Sequence, residues 1–323
     1  MLPLVGHRSL LDDTLRRLQP LVPAHQTLVL TSAALVPAVT AVTRPFGVPT
    51  ANLLAEPRAA GTAAALTWAA AQIERRAGRD AVMICVHADW AVAEEEEFRL
   101  ALSRAVDVAR EHGSLVTVGI VPTRPDPGYG YIRRGPPVAP GVFAVDRFVE
   151  KPNRTRAEEM VSEGCLWNSG IFVWRVGDFL DEVRRHTPEV APALDAALAN
   201  GNDANMFFAA ARSISVDVGV LERSHRVLVI PGDFGWDDVG TWAALQRVRS
   251  RDDAGNAVHG PVHAKDAHDN VVHAEGGTVV LYGVSDLVVV TRDGVTLVTT
   301  VERSADLKAL VESLPAWLAE HPT

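Results

Sequence analysis

Two acidic segments of the sequence carry residues of the type that hold a divalent cation. Asp89 stands in "HADW", directly after the apolar run 81–86, and Asp238 stands in "PGDFGWDDVGTW". Mg²⁺ bound to phosphates takes one or two protein carboxylates, so Asp89 and Asp238 would suffice if the fold brings them together. The structural alternative is that these aspartates cap the elements beside them, and Asp237 is the candidate for that role alone.

A second group of polar residues has the chemistry needed to bind a phosphorylated sugar. In "RFVEKPN", Glu150 can accept hydrogen bonds from sugar hydroxyls, and Lys151 can meet a phosphate as a point charge. The alternative is an exposed ion pair, which contributes little. In "LWNSGIFVW", Asn168 is either a turn residue or a ligand contact, and a turn is the better default.

The loop "PTRPDPGYGYI" and a set of histidines complete the candidates. Gly128 and Gly130 would let the backbone approach a ligand and Tyr129 and Tyr131 would pack on it, although such loops are more often only turns. The histidines lie in turn-rich sequence at spacings that fit no zinc motif, so we favour a structural role for them. They are His259, His263, His268 and His273.

Composition excludes some classes of protein. The net charge of −9 over 323 residues argues against a mainly electrostatic nucleic-acid binder. The two cysteines, Cys85 and Cys165, each lie in an apolar stretch, which indicates buried thiols and a cytoplasmic location. Apolar runs stay well short of the ~20 residues of a membrane span, so no membrane association is expected.

The elements that must position these residues alternate between strand and helix. This pattern predicts an α/β fold with a parallel sheet, helices on both faces, and ligands beyond the carboxyl ends of the strands. The predicted strands are 27–31, 49–54, 81–86 and 114–121, and the predicted helices are 33–42, 62–76, 94–112, 154–163, 176–186 and 202–212. After about residue 250, very short strands with Gly, Asn and Asp turns predict a small solenoid or compact β unit, followed by a helix over 304–320.

Seven motifs, taken in order, resemble one family. They are "EPRAAGTAAA", "VHADWAV", "GIVPTRPDPGYGYI", "FVEKP", "LWNSGIFVW", "SVDVGVLE" and "PGDFGWDDVGTW". Together they resemble the bacterial mannose-1-phosphate guanylyltransferases, which make GDP-mannose and pyrophosphate from GTP and mannose 1-phosphate. The resemblance implies a Rossmann-like nucleotidyltransferase domain over 1–248 and a small C-terminal β-solenoid-like domain over 249–323. It also implies Mg²⁺ as cofactor and no nucleic-acid partner, and it is compatible with a homodimer.

The resemblance assigns roles to individual positions. It implies that Asp89 and Asp238 hold the metal and that Lys151 acts with them in catalysis. The positions implied to contact the sugar phosphate are Gly130, Tyr131, Glu150, Lys151 and Asn168, and those near the guanine are Glu56, Gly61 and Thr62.

Departures from the family pattern cluster around the nucleotide. Ala60 and Ala64 stand where the family has an Arg and a Pro, and His87, Trp90 and Pro127 also differ. The preference for GTP is therefore less secure than the preference for the sugar. Two alternatives stay open: another sugar-1-phosphate nucleotidyltransferase, and a non-catalytic homologue that binds a nucleotide sugar.

The N-terminal region departs most. In the family, the segment that matches "LPLVG" is preceded by a strand and a glycine-rich loop that cradles the triphosphate, and here Met1 stands just before it. Two interpretations follow: a start codon assigned late, with ~25 further residues, or a genuine short homologue. We favour the first, and for the chain as printed we expect turnover lowered by orders of magnitude, because loss of one phosphate-stabilising Arg can cost about 10³.

Overall fold

The computed structural model of the chain describes residues 4–6 and 8–315. Within them the α-helices are α1 Leu10–Leu18, α2 Val36–Thr43, α3 Gly61–Ala77, α4 Glu95–His112, α5 Arg154–Ser162, α6 Val176–His186, α7 Ala191–Ala199, α8 Ala204–Ala210, α9 Leu245–Val248 and α10 Lys308–Ser313. The strands are β1 Val29–Ser32, β2 Leu53–Glu56, β3 Val82–Cys85, β4 Ala91–Val92, β5 Leu115–Ile120, β6 Tyr131–Ala139, β7 Val142–Val149, β8 Leu166–Arg175, β9 Val227–Gly232, β10 Trp236–Asp237, β11 Ala257–His259, β12 Val262–Lys265, β13 Val271–Ala274, β14 Val279–Tyr282, β15 Leu287–Arg292 and β16 Val295–Thr300.

The chain divides into two compact units. The larger unit comprises Leu11–Ala88 and Glu94–Trp236, and the smaller unit comprises Met1–Leu10, Asp89–Ala93 and Asp237–Thr323. This division differs from the boundary expected after residue 248, because the short segment around Asp89 and the residues from Asp237 onward group with the C-terminal strands. Asp89 and Asp238 therefore belong to the same unit.

A six-stranded sheet forms the centre of the larger unit. Its strand order is β3-β8-β5-β9-β7-β6, and β5 is buried along its whole length because both faces of the sheet are covered. Only β5 and β9 pair in parallel; β8 runs antiparallel to both β3 and β5. The expected parallel sheet is thus corrected to a mixed one, since β8 lies between the two strands that simple crossovers would have placed side by side. The strands β1 and β2 form a separate parallel pair.

Aromatic and alanine-rich surfaces pack against this sheet. Trp174 on β8 stacks on Phe179 of α6 with ring centroids 4.2 Å apart, and the four apolar side chains Val176, Phe179, Leu180 and Val183 of α6 are fully buried. Helix α3 buries a run of alanines around Trp68, whose ring stacks on Phe207 of α8 at 5.2 Å. Small side chains let α3 pack closely against the neighbouring elements of the core. This packing fixes the position of its first residues.

The smaller unit is built from short stacked strands. The strands β11, β13 and β15 pair in parallel, β12 pairs with β14 in parallel, and β16 closes an antiparallel hairpin with β15. Successive rungs are held by buried asparagines: Asn270 donates to the side-chain oxygen of Asn256 at 2.9 Å, and its own oxygen accepts the Leu287 N–H at 3.0 Å. Of the helix predicted over 304–320, the structure shows the short helix α10 at Lys308–Ser313. It starts later than predicted and ends before Leu314, whose backbone is extended, and residues 316–320 lie outside the described residues.

Candidate active site

The two predicted metal-binding aspartates flank a short two-stranded sheet. Asp89 precedes β4 and Asp238 follows β10, and these two strands pair with each other. Asp89 is exposed and Asp238 is half-buried. The pairing brings two segments that are distant in sequence into the same part of the smaller unit. Exposed carboxylate oxygens are the donors that Mg²⁺ takes beside phosphates, so the chemistry of this pair fits the ion.

The neighbouring Asp237 has a structural role. Its buried carboxylate accepts two hydrogen bonds from Arg247, at 2.7 and 3.0 Å, and a third from the Val239 N–H at 3.1 Å. These bonds hold a turn in which Val239 has a φ of +50°, a conformation that branched side chains rarely adopt. Asp238 lies within this turn and accepts the Gly240 N–H at 3.3 Å. Of the adjacent aspartates, Asp238 is therefore the candidate ligand and Asp237 its support.

In the larger unit, three of the residues predicted to contact the sugar phosphate come together at one end of the sheet. Strand β6 starts at Tyr131, which pairs with Val149 of β7 on one side and with Trp167 of β8 on the other. The residues adjoining these partners, Glu150 and Asn168, are thereby placed beside Gly130, which adjoins Tyr131. The Asn168 N–H donates to the Gly130 carbonyl at 2.8 Å.

Gly130 leaves room for the Glu150 carboxylate. A Cβ at this position would lie 2.7 Å from Glu150 Oε2 and 3.4 Å from the Cβ of Asn168. A side chain at residue 130 would displace the Glu150 carboxylate, so the prediction that glycine here permits a close approach has a physical basis, with Glu150 as the nearest group.

Lys151 occupies an uncommon backbone conformation. Its φ is +42°, its side chain is exposed, and its Nζ lies 3.6 Å from Glu150 Oε1. An exposed ion pair of this length stabilises the fold very little. Because a non-glycine residue in this region is strained, the surrounding structure must hold it there, as is common at functional sites.

The tyrosines of the 122–132 loop shape the loop itself. Tyr131 is fully buried, and its hydroxyl accepts the Asp126 N–H at 2.9 Å and donates to the Asp126 carbonyl at 3.2 Å. Tyr129 is buried edge-on against Trp167 and Trp236. The expectation that the side chain of Tyr131 contacts a ligand is therefore corrected: its ring lies in the core, and its hydroxyl closes the loop that precedes Gly130.

The segment predicted to lie near the nucleotide joins the end of β2 to the start of α3. Glu56 is half-buried, and burial raises the pKa of its carboxyl. The Thr62 hydroxyl accepts the Val216 N–H at 2.9 Å. The departures from the family pattern at Ala60 and Ala64 are fully buried in the main core, where an arginine would have to displace packed apolar side chains.

The 214–222 segment holds site residues that the sequence analysis did not assign. The Asn168 side-chain amide donates to Asp217 Oδ1 at 2.7 Å. Burial, together with the negative charges of Asp217 and Glu150, raises the pKa of Glu222. The motif "SVDVGVLE" contributed to the resemblance as a whole, but nothing in its spacing links Asp217 to Asn168.

Two of the four histidines, His259 and His273, stack on each other in the smaller unit, and His273 is also hydrogen-bonded. The rings of His259 and His273 are 4.7 Å apart and nearly parallel, and the donor atoms of both and of Glu275 lie within 4.8 Å of one another. Arg249 donates to His273 Nδ1 at 2.9 Å, so the ring proton sits on Nε2, which donates to Glu275 at 3.0 Å. A metal ion at Nε2 would need that proton removed, and it could not lie in the planes of two parallel rings. The geometry favours the structural role predicted for His259 and His273, and the role predicted for His263 and His268 stays a prediction.

Among the helices of the described part, none combines the length and the apolar content that crossing a bilayer demands.

Comparison with known proteins identifies the family. The sequence profile of the family described as "Nucleotidyl transferase" matches residues 1–254. The chain belongs to the nucleotidyl transferase family. It is 38% identical over 281 residues to a mannose-1-phosphate guanylyltransferase of Escherichia coli, covering 83% of this chain and 58% of that protein. It is 35% identical over 321 residues to the xanthan biosynthesis protein XanB of Xanthomonas campestris, covering 97% of this chain and 68% of that protein.

A solved structure shows the same fold. A crystal structure described as mannose-1-phosphate geranyltransferase from Thermus thermophilus superposes with a TM-score of 0.86 at 36% identity, covering 94% of this chain and 89% of that one. The resemblance drawn from the seven motifs is thus confirmed, and with it the α/β nucleotidyltransferase fold. The chain spans little more than half the length of the Escherichia coli relative.

Proposed function

We propose that this nucleotidyl transferase moves a guanylyl group from GTP to mannose 1-phosphate, giving GDP-mannose and pyrophosphate. A phosphate oxygen of the sugar phosphate would attack the α-phosphorus of GTP, forming one P–O bond as the bond to the departing pyrophosphate breaks. The observation that carries the proposal is the strand register around Tyr131, which assembles Gly130, Glu150 and Asn168 at one end of the sheet. Two relatives named mannose-1-phosphate guanylyltransferase each match 83% of the chain.

The residues present have the chemistry for each part of the sugar phosphate. Glu150 and Asn168 would hydrogen-bond sugar hydroxyls, and Lys151 would supply a positive charge to the phosphate. Asp89 and Asp238 would hold Mg²⁺, which when bound neutralises negative charge on the phosphates. Glu56, Gly61 and Thr62 would lie near the base. Such chemistry depends on positioning and electrostatics more than on a protein nucleophile.

The test is a pyrophosphate-release assay over several nucleoside triphosphates, each with mannose 1-phosphate and with glucose 1-phosphate. We expect the highest kcat/KM with GTP and mannose 1-phosphate. Preference for another pair would favour another sugar-1-phosphate nucleotidyltransferase. Binding of GDP-mannose without turnover under any pair would favour a non-catalytic homologue instead.

Matched aspartate variants test the metal site. Asp89→Asn and Asp238→Asn remove the negative charge at nearly constant volume and are expected to lower kcat about 100-fold or more. Asp233→Asn is the control, since Asp233 is exposed in the same segment as Asp238. Equal activity of Asp238→Asn and Asp233→Asn would contradict the assignment.

The proposal also includes the architecture of the C-terminal strands, the cellular setting and the oligomeric state. The parallel rungs β11-β13-β15 and β12-β14, with the asparagine pair between them, support a short β-solenoid as the architecture of residues 257–300. Buried free thiols at Cys85 and Cys165 support a reducing, cytoplasmic setting. A homodimer stays a prediction that sedimentation would test.

A further inference from the structure

The segment between residues 214 and 222 connects two parts of the larger unit to which the proposed function gives different ligands. Its first part is fastened to the start of α3: the Ala63 N–H donates to the Ile214 carbonyl at 3.1 Å, and the Val216 N–H donates to the Thr62 hydroxyl at 2.9 Å. The contact is so close that a Cβ on Gly61 would lie 2.3 Å from the Ile214 carbonyl oxygen. The start of α3, which the proposed function places near the base of the nucleotide, therefore determines where the backbone of residues 214–216 lies. We call this start of α3 the nucleotide segment.

The segment continues into a single π-helical turn, Asp217–Leu221. Turns of this type are rare and are frequently found at functional sites. Gly219 and Val220 in its interior are buried, and the Gly219 carbonyl accepts a hydrogen bond from the Thr187 hydroxyl at 2.7 Å. With its start fastened to α3 and its interior fastened to Thr187, the turn has little freedom to move. Its first side chain, Asp217, is held with it.

Asp217 uses this fixed position to hold Asn168. The distance of 2.7 Å between Asn168 Nδ2 and Asp217 Oδ1 is typical of a strong bond to a charged acceptor. The bond also decides which way the amide points, because a carboxylate accepts only from the NH₂ group. The Asn168 oxygen then faces the Gly170 N–H, at 3.4 Å. One N–H of Asn168 Nδ2 is thus committed to Asp217.

The local charge supports the same arrangement. Glu222, at the end of the turn, has its pKa raised by burial and then by the charges of Asp217 and Glu150. Asp217 is bonded to Asn168 and Glu150 lies beside Gly130, so these two carboxylates adjoin the same end of the sheet. The hydroxyl groups of a sugar can donate hydrogen bonds to carboxylates placed there.

Resting on the proposed function, we infer that Asp217 is a positioning residue for the sugar: it fixes the amide of Asn168 and, through the Thr62–Val216 bond, ties the sugar contact to the nucleotide segment. Asp217 acts here through Asn168 and is not assigned a contact with the reacting atoms. A sugar phosphate or nucleotide sugar is the ligand class whose binding this device would affect.

The test compares binding of GDP-mannose with binding of GDP, by calorimetry on the full chain. Asp217→Ala is expected to weaken GDP-mannose binding about tenfold and to leave GDP binding unchanged, because only the sugar meets Asn168. Asp217→Asn keeps an oxygen acceptor and is expected to recover part of the loss. The control is Asp203→Ala, which removes an exposed cap of α8 with no link to Asn168 and is expected to leave both affinities unchanged.

A double-variant cycle separates positioning from an independent contact. In an Asn168→Ala background, Asp217→Ala is expected to cause no further loss of GDP-mannose affinity. Additive losses would overturn the inference, as would equal losses of GDP and GDP-mannose affinity, which would indicate a purely structural role. If the wild-type chain bound GDP-mannose no more tightly than GDP, the proposed function would fail as well. Normal wild-type discrimination that persists in Asp217→Ala would overturn this inference alone.

Discussion

Gly61 is a residue at which the addition of a single methyl group should have a large measurable effect. Its φ is +78°, and a Cβ would lie 2.3 Å from the Ile214 oxygen and 2.8 Å from the Ile214 nitrogen. Real Cβ atoms do not approach backbone so closely, so Gly61→Ala must push the 214–216 segment away from α3. Gly47 provides the matched control, since its φ of +76° is similar and a Cβ there would meet nothing within 4 Å.

The expected loss of stability has two contributions, the backbone conformation of residue 61 and the hydrogen bonds of the displaced segment. Placing alanine in the left-handed region costs about 1–2 kcal/mol at either position. At Gly61 the displaced segment also loses the Ala63–Ile214 and Thr62–Val216 hydrogen bonds, each worth about 1 kcal/mol net. We therefore expect Gly61→Ala to lower the free energy of unfolding by about 3–4 kcal/mol, against about 1–2 kcal/mol for Gly47→Ala. The difference is a sizeable part of the roughly 5–15 kcal/mol typical of a folded protein.

Urea unfolding followed by fluorescence measures both variants, and calorimetry adds the functional consequence. Because the displaced segment leads directly into Asp217, Gly61→Ala should also weaken GDP-mannose binding, whereas Gly47→Ala should not. Equal destabilisation by the two substitutions would refute the argument, since it would show that the 214–216 backbone yields without loss. Destabilisation by Gly61→Ala with unchanged GDP-mannose binding would refute the proposed link to Asp217.

Three further predictions concern the rest of the molecule. Arg247→Met leaves the buried Asp237 carboxylate without its two-bond partner and should destabilise the fold by about 3 kcal/mol in urea unfolding, with Arg251→Met, at an exposed position nearby, as a near-neutral control. Burial lowers the pKa of His273 below 6.5, so below that pH the unfolded chain takes up a proton that the folded chain does not; stability should fall as the pH drops through this range, and His273→Gln should flatten the profile in thermal denaturation. Asn153→Ala removes the cap that accepts the Arg156 N–H at 2.9 Å and should cost about 1 kcal/mol of stability without changing the affinity for GDP.

Local patterns predicted the long helices of the larger unit well. The prediction of 62–76 corresponds to α3 at Gly61–Ala77, and that of 94–112 to α4 at Glu95–His112. In α4, acidic residues at the start and an apolar face give the signal directly. Helix α7 was not predicted, because it has no capping side chain at its start and apolar residues all round. The two sequence signals of a helix, a capping residue at the start and an apolar face, are therefore both missing from α7.

Sheet order could not be predicted from local patterns. The run "GIFVWR" reads as a strand, but its insertion between β3 and β5 depends on pairing between segments more than 50 residues apart. The same limit applies to the candidate site. Asp89, Glu150 and Lys151 are visible in motifs because each sits beside a strand end, whereas the role of Asp217 depends on one hydrogen bond to a residue in another motif.

The candidate sugar site takes its geometry from a buried residue, Tyr131, whose side chain lies in the core. Tyr131 pairs with both neighbouring strands and closes the preceding loop through its hydroxyl, so Gly130, Glu150 and Asn168 take their positions from one buried side chain and its register. Because register changes by whole residues, a shift of one position would exchange the face of every side chain on the strand. The ligand-binding groups at such a site therefore cannot be adjusted one at a time by the sheet. Fine adjustment falls to the residues outside it, and Asp217, which reaches Asn168 from a separately anchored turn, is placed to provide it.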